Sequence, residues 1–165
     1  MKKQNRIHKL TAMAMLTALA LIIFFLEMRI PDLTPVPGIK LGLANIITVF
    51  AVYRFSAGET FMILITRILL GAFFAGNISA LLYSIAGAVL CFGGMIAVKR
   101  IIPPKYIFMS SIVGALLHNT GQLAVAVLIM RTTAVIVYYP FLIVSACISG
   151  LFTGLCAQYV LKRVR

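Results

Sequence analysis

Four side chains in this sequence have the chemistry to hold a small polar molecule from within apolar surroundings. Arg67 stands alone in the run ITRILLGAFF, and His118, Asn119 and Gln122 lie together in LLHNTGQL. At helical spacing His118 and Gln122 are four residues apart and Asn119 and Gln122 three, so the three share roughly one face. A guanidinium is a fixed cation with a planar fork of donors; an imidazole and two carboxamides add donors and acceptors. Such a set suits a substrate contact. The same residues also suit interhelical hydrogen bonds that fix packing, and a lone Arg on a short, tilted helix can snorkel to water.

Further polar groups fall at the ends of neighbouring apolar runs. Glu27 and Arg29 close the first run, and Lys40 and Asn45 open the next, in KLGLAN. At 1.5 Å per residue, Arg67 lies about 10 Å and His118 about 18 Å from the inner ends of their runs. The polar groups therefore gather in the outer half, as in a pocket open to one side rather than a channel. Arg67, Lys40 and Arg29 outnumber Glu27, which points to a small anionic ligand. No carboxylate is expected at the depth of Arg67, so a hydrogen-bond network or a bound anion has to balance its charge.

Other chemistry is poorly served. The only acidic residues are Glu27, Asp32 and Glu59. Magnesium-dependent diphosphate chemistry needs several carboxylates around the ions. There is no Gly-x-x-x-x-Gly-Lys loop, no metal-ligand spacing, and no nucleophile beside a base. The residues read as a binding protein rather than an enzyme, with no metal and no cofactor. Proton coupling would fall to Glu27 or His118. Cys91, Cys147 and Cys156 are odd in number and read as packing residues within helices.

These side chains need a membrane scaffold. Of 165 residues, 62% are hydrophobic, and 15 basic residues face 3 acidic ones. Apolar stretches near the length of a bilayer span recur along the chain. The expected fold is an all-α, six-helix transmembrane bundle, one domain over 1–165, with spans near 10–28, 41–53, 60–76, 77–98, 106–130 and 141–161. The first run is longer than a signal-peptide core and is expected to be retained. Segment 41–53 rises only about 20 Å against a hydrocarbon core of about 30 Å. It is full and tilted, broken, or paired with 60–76 as a re-entrant hairpin.

Orientation follows from the cations. With the N-terminus inside, Lys2, Lys3, Arg6, Lys9, Arg54, Lys99, Arg100, Lys105, Lys162, Arg163 and Arg165 are cytoplasmic, and Arg29, Lys40 and Arg131 are external. Both termini are then cytoplasmic. The net charge of +12 sits in clusters between apolar runs, which suits anionic membrane lipid rather than nucleic acid. Small residues form two ladders, Ala14-x-x-x-Ala18 in the first span and Ala146, Gly150 and Gly154 in the last. Each permits close helix approach, to a partner or within the bundle.

At KLGLANI (Lys40 to Ile46), TRILLG (Thr66 to Gly71) and HNTGQL (His118 to Leu123), the sequence resembles the Gx transporter family, also labelled heptaprenyl diphosphate synthase component I. The resemblance covers nearly the whole chain. That family is similar to the substrate-binding S components of energy-coupling-factor transporters. The resemblance implies an S-component-like fold in a prokaryotic plasma membrane, with an outer pocket capped by the loop between the first two spans. It also implies docking on a membrane T component through small residues of the first span, which Ala14 and Ala18 match, and ATP hydrolysis by separate ATPase subunits. The synthase label implies something else. A trans-prenyl diphosphate synthase needs Asp-rich motifs and this chain has one Asp, so it would be a non-catalytic membrane accessory of a prenyl diphosphate or quinone-pathway enzyme. A component of a membrane redox assembly is a third reading.

Overall fold

The computed structural model describes residues 2–29, 42–76 and 78–163. Six α-helices account for nearly all of them: α1 (Lys2–Glu27), α2 (Asn45–Arg54), α3 (Ala57–Ala75), α4 (Ile78–Ile101), α5 (Ile107–Met130) and α6 (Tyr139–Arg163). Short 3-10 turns at Pro104–Tyr106 and Ala134–Tyr138 lead into α5 and α6. No strand occurs among the described residues.

Five of the helices, all but α2, are long and apolar enough to cross a membrane. Their outward faces carry large apolar side chains, such as Phe73, Leu128 and Ile148. The buried positions, by contrast, include Arg67, His118, Asn119, Gln122 and Glu27. An apolar exterior around a polar interior is the inverse of a soluble domain and fits a lipid solvent. The chain is a multi-pass membrane protein.

Local signals explain the helix ends. Ser56 and Glu59 form a reciprocal capping box at the start of α3, satisfying two orphan amides. Gly76 ends α3 in the left-handed conformation, with φ 63°, where a side chain would be strained. Lys9 of α1 pairs with Glu59 at 2.6 Å, joining the starts of α1 and α3. The Pro103–Pro104 pair breaks the chain between α4 and α5 because proline clashes with the preceding turn.

Segment 41–53 departs from its expected form. Its helix is α2, which has ten residues and starts only at Asn45. It rises about 15 Å, half the roughly 30 Å core. Only Phe55 and Ser56 separate it from α3, so its C-terminus sits where α3 begins and its N-terminus lies within the bundle. Helix ends in hydrocarbon leave backbone groups without water and need partners. Both ends of α2 have a charged one. Lys99, from the end of α4, donates to the Val52 carbonyl near the α2 C-terminus and lies 5.5 Å from the Tyr53 ring. Glu27, the last residue of α1, accepts from Gly42 ahead of the α2 N-terminus. Each charge complements the helix dipole at its end. The neighbouring helix, α3, is a full 19 residues.

Helices α4, α5 and α6 pack through missing side chains. A Cβ on Gly121 would lie 2.7 Å from the Ala86 carbonyl oxygen. Cβ atoms on Gly150 and Gly154 would lie 2.7 Å from the Ile112 Cα and 2.6 Å from the Phe108 Cα. Backbone cannot yield as a flexible side chain can, so these are true close approaches. The ladder of Ala146, Gly150 and Gly154 is thus internal packing of α6 on α5. Beside it, the Ser111 and Thr153 hydroxyls hydrogen-bond at 3.0 Å.

The ladder on α1 behaves differently. Thr17, Ala20 and Glu27 are buried, whereas Thr11, Ala14, Met15, Ala18 and Ile22 are exposed. Ala14 and Ala18 therefore face away from the bundle.

Candidate functional site

The polar centre of the bundle begins at the N-terminus of α2. Gly42 takes φ +76°, a left-handed turn open to glycine, and the chain then winds into helix. The carbonyls of Gly42, Leu43 and Ala44 accept from Asn45, Ile46 and Ile47. The Gly42 amide donates to the Glu27 carboxylate. A carboxylate on a backbone N–H ahead of a helix start combines a charge-assisted hydrogen bond with a favourable dipole. Glu27 is 4% exposed.

Arg67 approaches the same point from the middle of α3. It is 7% exposed and directed into the bundle. It lies within Coulombic range of Glu27, His118 and Cys91, beyond the 4 Å of a direct ion pair. The expectation that no carboxylate is available to Arg67 is modified: Glu27 comes within Coulombic range of it. The physical reason is the shortness of α2, whose N-terminus stands deep in the bundle and gathers Glu27 to it. A crevice lined by Phe24, Arg67, Ile68, Gly71, Ala72 and Ser84 adjoins the guanidinium. Its volume of about 10 Å³ is room for one water molecule.

His118 fills the gap between α2 and α4. A Cβ on Gly42 would lie 3.4 Å from the His118 Cδ2, and one on Gly87 would lie 2.8 Å from its Nδ1. Glycine at both positions makes the slot for the imidazole. Asn45 shares this corner, its Nδ2 lying 2.8 Å from the same hypothetical Gly42 Cβ. One turn further along α5, Gln122 is 2% exposed.

The structure thus brings Arg67, His118, Asn45 and Glu27 into one neighbourhood, with Gln122 next along α5. Asn119 is also buried, but it donates to the Leu142 carbonyl at 2.9 Å and joins α5 to α6. Thr120 reinforces that joint through the Tyr139 hydroxyl at 3.1 Å. Lys40 and the loop 31–40 lie outside the described residues. Arg29, at the end of α1, is exposed. Gly42 and Gly87 escaped the sequence reading as parts of the site. Glycine in KLGLAN, directly before a helix, was the available signal for the first; nothing local marks the second.

Three polar atoms in this region are buried without a hydrogen-bond partner among the described residues: Arg67 Nε, His118 Nδ1 and Gln122 Oε1. Each such atom costs about 1–3 kcal/mol. The same holds for Tyr53 Oη and Gln158 Oε1 elsewhere in the bundle; Arg67, His118 and Gln122 form the set on α3 and α5. The set offers a donor on Arg67, an acceptor on Gln122 and either on His118.

A family model described as heptaprenyl diphosphate synthase component I matches residues 16–160, most of the chain. No curated protein and no solved structure matches.

Proposed function

The chain belongs to the heptaprenyl diphosphate synthase component I family, and we propose that it is the substrate-capture subunit of a small-molecule uptake transporter. The observation that carries this reading is the group of unpartnered buried atoms on Arg67, His118 and Gln122. Three such atoms on α3 and α5, against single ones on Tyr53 and Gln158, favour a polar guest over packing. Capture by this subunit leaves energy to others: a T component in the membrane and ATPase subunits in the cytoplasm. The exposed small face at Ala14 and Ala18 supplies a surface for the T component. The assay is affinity purification of the full chain from its own cell membrane, with identification of co-purifying proteins. ATPases and a T component support capture; a prenyl diphosphate synthase subunit alone opposes it.

The family description supports a second reading, in which the chain is a non-catalytic membrane accessory of a prenyl diphosphate enzyme. Under that reading the buried polar groups serve packing, and no small molecule accompanies the protein.

Both readings place the chain in the plasma membrane of a prokaryote, with six membrane segments, α2 being a half-length one, and both termini in the cytoplasm. Topology has its own test. A single cysteine at position 35 is expected to react with a membrane-impermeant maleimide from outside, and one at position 102 only after the membrane is opened. Labelling of position 35 only from the cytoplasmic side contradicts this orientation.

A further inference from the structure

The surface of α6 between Phe152 and Lys162, about three helical turns, forms a shallow, open groove of about 650 Å³. Phe152, Leu155, Tyr159 and Val160 make most of it apolar, and all four are exposed on the outside of the bundle. Polar groups gather toward the end of the helix. Gln158 lines the groove, and its Oε1 is buried without a hydrogen-bond partner among the described residues. Lys162 lines its end, with the exposed Arg163 next in the chain. Arg163 is held in place by Tyr159: it donates to the hydroxyl at 2.9 Å, and its guanidinium lies 5.3 Å from the ring.

We propose that this groove holds one anionic glycerophospholipid. An acyl chain lies along Phe152, Leu155 and Val160, the ester and headgroup oxygens meet Gln158, and the phosphate meets Lys162 and Arg163. The order of groups along the helix matches the order along such a lipid, apolar first and charged last. Gln158 stands one turn inside Lys162. Its carboxamide supplies donors for ester carbonyls, and its Oε1 accepts from a glycerol hydroxyl. Basic side chains at the membrane edge attract anionic headgroups, and an arginine fork fits a phosphate. Charge also argues against other occupants. A second copy of this chain, related by a two-fold axis, would set Lys162 and Arg163 against their own equivalents. A small polar molecule would leave the apolar length of the groove uncovered. Helix α6 packs on α5 and α2, whereas α1 packs on α3 and α2, so lipid here leaves the Ala14 and Ala18 face free. Nothing in this site draws on Arg67, and it stands or falls apart from the capture reading.

The test is lipid binding to the detergent-purified full chain, read by native mass spectrometry and thermal melting. Dioleoyl-phosphatidylglycerol is expected to add one lipid mass and raise the melting temperature, and dioleoyl-phosphatidylcholine to do neither at the same concentration. Lys162→Gln with Arg163→Gln should weaken phosphatidylglycerol binding roughly 10- to 30-fold, the effect of two cations near an anionic headgroup. The control is Arg100→Gln with Lys105→Gln, which removes the same charge from exposed positions off the groove and should leave binding within about twofold of the unaltered chain. All four residues are exposed, so each double variant is expected to fold. Equal loss in both pairs overturns the site, because the attraction is then only that of net charge. Equal binding of the two lipids overturns it too. Stabilisation by sodium phosphate alone, lost in Lys162→Gln with Arg163→Gln, would replace the lipid by a free anion. A dimer mass that the same variant abolishes would replace it by a second copy.

Discussion

Arg67→Ala should lose its ligand and become less stable, while Arg67→Lys should regain the stability but not the ligand. The alanine removes a buried cation that lies near Glu27 but beyond direct ion-pair distance. The expected loss of stability is about 0.5–3 kcal/mol. The substitution also removes Nε, the donor without a partner among the described residues. A hydrogen bond to a charged group contributes about 1.5–3 kcal/mol, so affinity should fall by roughly 10- to 150-fold. Lysine restores a positive charge opposite Glu27 but lacks the planar fork and its Nε donor. Thermal melting paired with ligand occupancy by native mass spectrometry separates the two effects. Full occupancy in Arg67→Ala would remove the guanidinium from the site. Full occupancy in Arg67→Lys would show that charge alone serves the ligand.

The second large effect is expected on assembly. Ala14→Leu with Ala18→Leu should reduce recovery of partner membrane subunits at least tenfold, with the isolated protein unchanged. Both alanines are exposed on α1, opposite the face that buries Thr17 and Ala20. Leucine there displaces nothing inside the bundle, so the expected change in stability is within about 0.5 kcal/mol. Against a partner helix the added bulk holds the backbones apart and removes the close packing that drives association in lipid. Quantitative mass spectrometry of affinity-purified complexes gives the ratio. Unchanged recovery would make this face an ordinary lipid-facing surface. The control positions are Met15 and Leu19, exposed on the same helix but already bulky.

Much of this architecture is legible in the sequence because membrane helices declare themselves by length and composition. The last three helices run 78–101, 107–130 and 139–163, close to the expected 77–98, 106–130 and 141–161. The burial of Arg67 is legible too, since a charge at that depth has few other places to go. The α2 start is not. KLGLANI reads as apolar helix from its first residues, but Gly42 adopts a left-handed turn and the helix waits until Asn45. That shift brings the N-terminus of α2 to Glu27.

The approach of Glu27 toward Arg67 is hidden for a related reason. Residues 27, 42 and 67 are brought near one another only by the packing of the helices, and no local spacing signals a long-range approach. The face presented by Ala14 and Ala18 was similarly open. In a uniformly apolar helix, periodicity does not separate the side facing lipid from the side facing the bundle. Neighbours decide, and here they are α3 and α2 on the side of Ala20. The glycine slot around His118 is of the same kind: Gly87 is legible as a small residue, but its partner on α5 is not.

The most direct measurement is mass spectrometry of small molecules released by denaturing the full chain after gentle purification from its own membrane. The expected result is one small, polar compound in near-stoichiometric amount, absent from Arg67→Ala prepared in parallel. A chain that carries no such compound, yet co-purifies with a prenyl diphosphate synthase subunit, would contradict the capture function.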